Sequence, residues 1–253
     1  MEKRRINKGS ILEGLIKQSV YEIAGRNQEY IYGFSYVKDY VPSNAKGLDY
    51  CITIGLKLDD EIIDSISDGP TRKYLEHYRD VNQKLREISD KIRNSIEESL
   101  GCRAVAFPPS TPDEVKKTSK FQKELSSDFS HKIGATRSGL GWIGKTALLV
   151  SKRFGPRLRL VSVLTDYKLK VGTPLEKSLC NNCTICIENC PAMAGSDIDW
   201  KPKMKREEFF DAFRCMETCR ELTKERIGET ELICGICVSL CPQGRSKECS
   251  YNR

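Results

Sequence analysis

Nine of the chain's 12 cysteines fall between Cys180 and Cys241. They read Cys180-Asn-Asn-Cys183-Thr-Ile-Cys186-Ile-Glu-Asn-Cys190-Pro191, then Cys215 and Cys219, then Cys234-Gly-Ile-Cys237-Val-Ser-Leu-Cys241-Pro242. Thiolates are soft ligands, and at this density they point to a metal-sulfur centre. Three cysteines at i, i+3 and i+6 in a tight loop wrap three corners of one cubane. A fourth, displaced onto a short helix and followed by Pro, points away from it.

The first run is the C-x2-C-x2-C-x3-C-P spacing of two-cluster ferredoxins, in which the fourth cysteine serves the other cluster. The spacing therefore predicts one 4Fe-4S cluster on Cys180, Cys183, Cys186 and Cys241. The second takes Cys190, Cys234, Cys237 and either Cys215 or Cys219. Zinc also binds paired C-x2-C units, but seven cysteines in two Pro-terminated runs overshoot a four-ligand tetrahedral site. Disulfides fit less well still, because short loops that bring three sulfurs together leave poor geometry for independent pairs.

A second motif precedes the cysteines. Gly139-Leu140-Gly141-Trp142-Ile143-Gly144-Lys145-Thr146 satisfies both G-x-G-x-x-G and G-x-x-x-x-G-K-[ST], two phosphate-cradling patterns. Each requires a strand before the loop and a helix after it, so that a helix N-terminus meets the anion. Here Asp128 to Ser138 reads as polar and helix-like, while Ala147–Val150 and Leu158–Leu164 read as strands. The reversed order argues against a nucleotide. The glycines still allow close backbone approach, Trp142 offers a flat apolar face and Lys145 a point charge.

The elements that must hold these residues follow from periodicity. Residues 8–24 carry Ile11, Leu12, Leu15, Ile16, Val20 and Ile23 at helical spacing. Residues 29–41, 48–58 and 102–107 read as strands, the last ended by Pro108 and Pro109. From Pro70 to Leu100 one apolar stripe of Tyr74, Tyr78, Val81, Leu85, Ile88, Ile92 and Ile96 predicts a long helix stopped by Gly101. Residues 110–130 read as an exposed loop or short helix. A short helix, the glycine turn and two strands are expected over 131–166, the second strand running from Arg157 to Thr165.

At 253 residues with a net charge of +7, the chain has room for two cores. Residues 171–253 hold 12 Lys and Arg against 13 Asp and Glu, and residues 1–170 hold 30 against 22. A basic half thus meets a cluster-bearing half. No Lys/Arg block with interleaved aromatics marks a nucleic-acid surface, and no apolar run has membrane length. The expected setting is cytoplasmic, reducing and anaerobic.

The run A-x-R-x-G-L-G-W-I-G-K, then L-L-V, then F-G-P-R-L-R-L-x-x-V-L-T-D, followed by the ferredoxin motif, resembles the epoxyqueuosine reductase family over roughly residues 48–245, and more distantly the reductive dehalogenases. That resemblance implies an α+β fold: a nitroreductase-like corrinoid-binding domain over residues 1–170 and a ferredoxin-like double 4Fe-4S domain over 171–253. It implies bound cobalamin, reduced through the clusters by a low-potential donor of ferredoxin or flavodoxin type. By motif position Gly139, Leu140, Gly141, Trp142, Gly144 and Lys145 would line the corrinoid pocket. The Arg-Cys pair of the family falls on Arg214-Cys215, which selects Cys215 as ligand over Cys219. The family's catalytic Asp falls on Leu125 without a gap and on Asp128 with one; His131 is the other nearby proton donor. tRNA is not favoured as substrate, since the reductase continues past the clusters into a helical-repeat domain. An electron carrier or corrinoid-reducing accessory protein is the alternative.

Overall fold

The computed structural model describes residues 8–110 and 116–245. The fold mixes α and β structure. Helix α1 (Lys8–Ala24) leads into β1 (Tyr30–Tyr36) and β2 (Tyr50–Lys57), followed by a short α2 (Asp60–Asp64), the long α3 (Arg72–Leu100) and β3 (Ala104–Phe107). Next come α4 (Ser119–Glu124), α5 (His131–Arg137), the hairpin strands β4 (Gly141–Ile143) and β5 (Leu149–Ser151), and β6 (Leu158–Thr165). The cysteine segment adds only α6 (Ile185–Glu188), α7 (Ala212–Ile227) and α8 (Ile236–Leu240) as α-helices. Among the described residues no helix is long and apolar enough to cross a membrane.

The main sheet is antiparallel in the order β1-β2-β6-β3. Alternation along β2 sorts its two faces. Ile52, Ile54 and Leu56 are buried with Leu12, Ile16 and Val20 of α1 and with Leu85, Ile88, Ile92 and Ile96 of α3. The expected stripe thus forms one side of the core. Thr71 caps α3 by accepting the Tyr74 N–H at 3.2 Å, and Gly101 ends it in the left-handed conformation.

The opposite face of β2 carries Cys51 and Thr53, and α5 lies on it. The approach is close enough that a Cβ on Gly134 would stand 2.2 Å from Thr53 Oγ1 and 2.8 Å from Cys51 Sγ. Glycine is what lets α5 settle there, and this sets the position of His131 at its first turn.

The sheet is incomplete in one place that matters. β3 pairs only with Ser162–Thr165 of β6, because Pro108 and Pro109 follow it. Leu158, Arg159 and Leu160 are left without a strand on that side, and the clefts described below open there.

The cysteine segment packs onto this body. Ile227, Ile233 and Val238 join the same apolar core as α1 and α3. The buried Arg157 guanidinium pairs with Asp60 at 3.1 Å and Asp64 at 2.5 Å, and donates to the Ser239 carbonyl at 3.1 Å, so that α2 and α8 are tied through one side chain.

Gly134→Ala is expected to lower stability by about 1–3 kcal/mol, the usual cost of overpacking. Chemical denaturation would measure it, and an unchanged midpoint would show that α5 has room to move.

Candidate metal-sulfur centres and adjoining cleft

The cysteines fall into two groups. Cys180, Cys183 and Cys186 share the loop leading into α6, which the Cys183 N–H closes onto the Cys180 carbonyl at 3.0 Å. Burial pushes the Cys186 thiol up to about 11, and Cys180 and Cys183 add to the shift. Burial likewise pushes Cys241 up to about 12, with Cys186, Cys180 and Cys183 as its charged neighbours. Cys241, at the end of α8, thus stands with the first run.

The second group surrounds a cavity of about 240 Å³ lined by Cys190, Cys215, Cys219, Cys234 and Cys237. Cys234 is raised by burial and by Cys215 and Cys190. Cys237 is raised by burial, Cys234 and Cys215, with Cys186 of the first group also contributing. Cys215 and Cys219 lie one turn apart on α7 and share a hydrogen bond, which lowers the Cys215 thiol and raises that of Cys219. Among the described residues no three such side chains converge on a point suited to a single metal ion. Sulfurs in two such groups suit polynuclear centres, in which metal would replace the protons that burial otherwise holds.

The cavity adjoins a larger space. Lys132, Ala147, Leu148 and Arg206 line both it and a cleft of about 1090 Å³. The cleft has apolar walls that include Ile143, Leu148, Leu149, Leu158 and Leu160, and a charged lining in which Arg137, Lys203, Lys205 and Arg206 outnumber Glu124, Glu176 and Glu207, the last paired with Arg206. Arg206 also closes one end of it by donating to the Leu125 carbonyl at 2.8 Å and the Glu124 carbonyl at 2.6 Å. Lys132 donates to the Ala147 carbonyl at 2.7 Å, and burial pushes its ammonium down to about 8.

A second cleft, of about 750 Å³, adjoins at Pro109, His131 and Arg159. Arg159 stacks 4.3 Å from the Tyr78 ring and donates to Asn82 Oδ1, Tyr78 Oη and the Pro109 carbonyl, all neutral acceptors. Among the described residues no carboxylate forms an ion pair with it. Asp128 is exposed on the wall of this second cleft.

His131 does not suit the role of acid. Its Nε2–H donates to the Pro108 carbonyl at 2.9 Å, which leaves Nδ1 to accept from Ser162 Oγ at 3.0 Å. Burial pushes the imidazole down to about 4, so it is neutral near pH 7 and holds α5 to β6.

The glycine loop also differs from expectation. A helix precedes it and a hairpin follows, as the reversed order requires, but Gly141–Ile143 is itself a strand. The close approach at Gly141 is to the protein's own backbone: a Cβ there would lie 2.3 Å from the Val150 carbonyl oxygen. Gly139 meets Thr173 in the same way, and the half-buried Leu140 packs against a small cluster around Ala135, Leu149 and Leu158. Trp142 donates its indole N–H to Cys180 Sγ at 3.3 Å. Lys145, fully buried, donates to the Asn181 carbonyl at 2.6 Å and pairs with Asp197. Gly139, Leu140, Gly141, Trp142, Gly144 and Lys145 line neither large cleft; Ile143, Ala147, Leu148 and Leu149 face the larger one instead.

No family profile matches the chain. A curated relative from Aliivibrio fischeri, described as epoxyqueuosine reductase, is 28% identical over 194 residues, covering 71% of this chain and 44% of its own length. The chain resembles the epoxyqueuosine reductases. It spans less than half of that relative. Among solved structures, a reductive dehalogenase described with a mechanism for B12-dependent dehalogenation superposes with a TM-score of 0.67 at 17% identity, over 97% of this chain and 33% of that one. An epoxyqueuosine reductase solved with an epoxyqueuosine-modified tRNA-Tyr stem loop gives 0.57 at 15% identity, over 92% and 66%. These two share the fold.

The His131 imidazole is expected to stay neutral from pH 8 down to pH 5. With only two histidines in the chain, its Cε1–H resonance can be followed by NMR, and titration near 6.5 would refute the assignment. Because the folded value lies below the unfolded one, the neutral ring favours the fold above pH 6.5. That contribution, at most roughly 3 kcal/mol, is lost as the pH falls toward 4.

Proposed function

We propose that this chain is an iron-sulfur oxidoreductase that carries low-potential electrons through two 4Fe-4S clusters to a corrinoid in the larger cleft. Cys180, Cys183, Cys186 and Cys241 hold one cluster. Cys190, Cys215, Cys234 and Cys237 hold the other, with a nitroreductase-like domain over 1–170 and a ferredoxin-like one over 171–253. The observation that carries this reading is the junction at Lys132, Ala147, Leu148 and Arg206, where the cysteine-lined cavity meets the cleft.

The residues present suit the groups invoked. Two sets of four cysteines match two cubanes, and in each set burial raises two of the thiols, Cys186 and Cys241 in one and Cys234 and Cys237 in the other. Apolar walls with a lining richer in cations than in carboxylates, around a space of about 1090 Å³, suit a planar macrocycle with an anionic tail. A bound cobalamin would supply two-electron reductive chemistry, and the chain would supply its seat and the exclusion of water. Ile143, Leu148 and Leu149 are the apolar wall, in place of the glycine loop, and Arg206 holds the loop at Glu124 and Leu125 over one end. For proton delivery Lys132 stands at the junction, its ammonium made more acidic by burial, and Asp128 lies on the neighbouring wall. The Arg214-Cys215 pair, which matches the family pattern, favours Cys215 as ligand over Cys219.

Anaerobic reconstitution should give about eight iron and about eight sulfide per chain. Cys215→Ser should lose one cluster, while Cys219→Ser keeps both; the reverse pattern would move the ligand to Cys219. Tightly bound zinc without sulfide in anaerobically prepared protein would end the cluster reading.

Cluster-loaded protein should then bind cobalamin in the micromolar range or tighter, about −8 kcal/mol, as followed by absorbance and calorimetry. Ile143→Glu, on the cleft wall and away from the cysteine-lined cavity, should abolish that binding without changing iron content. A cluster-loaded protein that takes up no cobalamin would be an electron carrier for a partner.

A further inference from the structure

The Trp142–Thr146 segment does more than turn the chain. Trp142 is buried, and its indole N–H reaches Cys180 Sγ at 3.3 Å. A Cβ on Gly144 would stand 3.5 Å from the same sulfur, so the hairpin backbone lies directly against it. Lys145 fixes the loop carrying that cysteine by donating to the carbonyl of the next residue, Asn181, at 2.6 Å. Its ammonium is fully buried, whereas its partner Asp197 is two-thirds exposed. Four residues after Trp142, Thr146 stands with Cys237 on the wall of one cavity, in the other group of cysteines, and its hydroxyl counters the rise of that thiol. Thr146 lines the cavity of that second group, where its neighbours Ala147, Leu148, Pro191, Ala192 and Ile236 are apolar.

We infer that this one hairpin is a positioning element for both metal-sulfur centres, Trp142 setting the reduction potential of the Cys180 centre and Thr146 that of the Cys237 centre. The inference rests on the cluster assignment proposed above. A hydrogen bond to a ligand sulfur withdraws electron density and stabilises the reduced, more negative state, which raises the potential. The two donors act on different centres, so their effects are separable. Each centre also has a cation nearby, Lys145 at the Cys180 loop and Lys132 and Arg206 on the wall of the Cys237 cavity. The nucleotide-like Gly-Lys-Thr sequence is accounted for by contacts within the chain.

The test is an anaerobic redox titration followed by EPR on reconstituted full-length protein. Trp142→Phe keeps the ring and removes the N–H; Thr146→Val keeps the shape and removes the hydroxyl. Trp142→Phe should make one of the two midpoint potentials more negative and leave the other in place. Thr146→Val should move the other midpoint and leave the first. If Trp142→Phe fails to retain its iron, Thr146→Val alone carries the test, shifting one midpoint only. Unchanged potentials in a variant with full iron content, or both potentials moving together, would overturn the inference. Absence of cubane signals in the unaltered protein would instead sink the cluster assignment beneath it.

Discussion

Thiolates packed beside one another in a poorly solvated space repel, and each protonated thiol there is a weak partner for its neighbours. The segment from Cys180 onward places cysteines in this situation twice, with Cys186, Cys237 and Cys241 all held well above the ordinary thiol range by burial. Among the described residues α6 and α8 are one-turn helices, and α7 is the one long helix of the segment. Under the proposed assignment, metal-ligand bonds are the interaction that turns this unfavourable arrangement into a favourable one, and their energy is folding energy. The rest of the segment's contacts, chiefly Arg157 on Ser239 and the Ile227, Ile233 and Val238 side chains in the shared core, fix where the unit sits.

That placement explains the cleft. Two prolines end β3 early, so half of β6 offers its edge to open space, and the cysteine-lined cavity adjoins that space at Lys132, Ala147, Leu148 and Arg206. Two features of different origin, a truncated strand and a cysteine-rich segment, therefore meet at one wall. Arg159, bound by neutral acceptors, and the apolar residues around Leu148 give the cleft two parts of different character.

Much of this is legible in the sequence, for reasons of period and spacing. The helix over 8–24 and the stripe of α3 are long enough for the 3.6-residue repeat to dominate, and Thr71 and Gly101 mark the ends of α3. The cysteine grouping follows from spacing because ligand geometry is local. The glycine loop was harder. Its residues satisfy patterns for a bound phosphate, and short strands such as β4 carry too few residues for alternation to register; only pairing with β5 makes Gly141–Ile143 a strand. Trp142 and Lys145 face partners some 40 residues on, a distance over which sequence carries no register. His131 reads as an acid by type alone, whereas burial against Pro108 and Ser162 decides its state. Arg157 and Arg159, two charges at alternate positions entering a buried strand, are a sequence signal for a polar site beside the sheet, and each is held by specific partners.

The grouping of Cys241 with Cys180, Cys183 and Cys186 also bears on biosynthesis. Under the proposed assignment the first three ligands leave the ribosome long before the fourth, and Cys190 waits similarly for Cys234 and Cys237. Neither centre can close on a nascent chain until α8 has emerged. Metal insertion is thereby deferred until the N-terminal sheet and helices that receive the segment are already synthesised, and a chain interrupted before Cys241 would carry a three-ligand site open to oxidation and to the wrong metal.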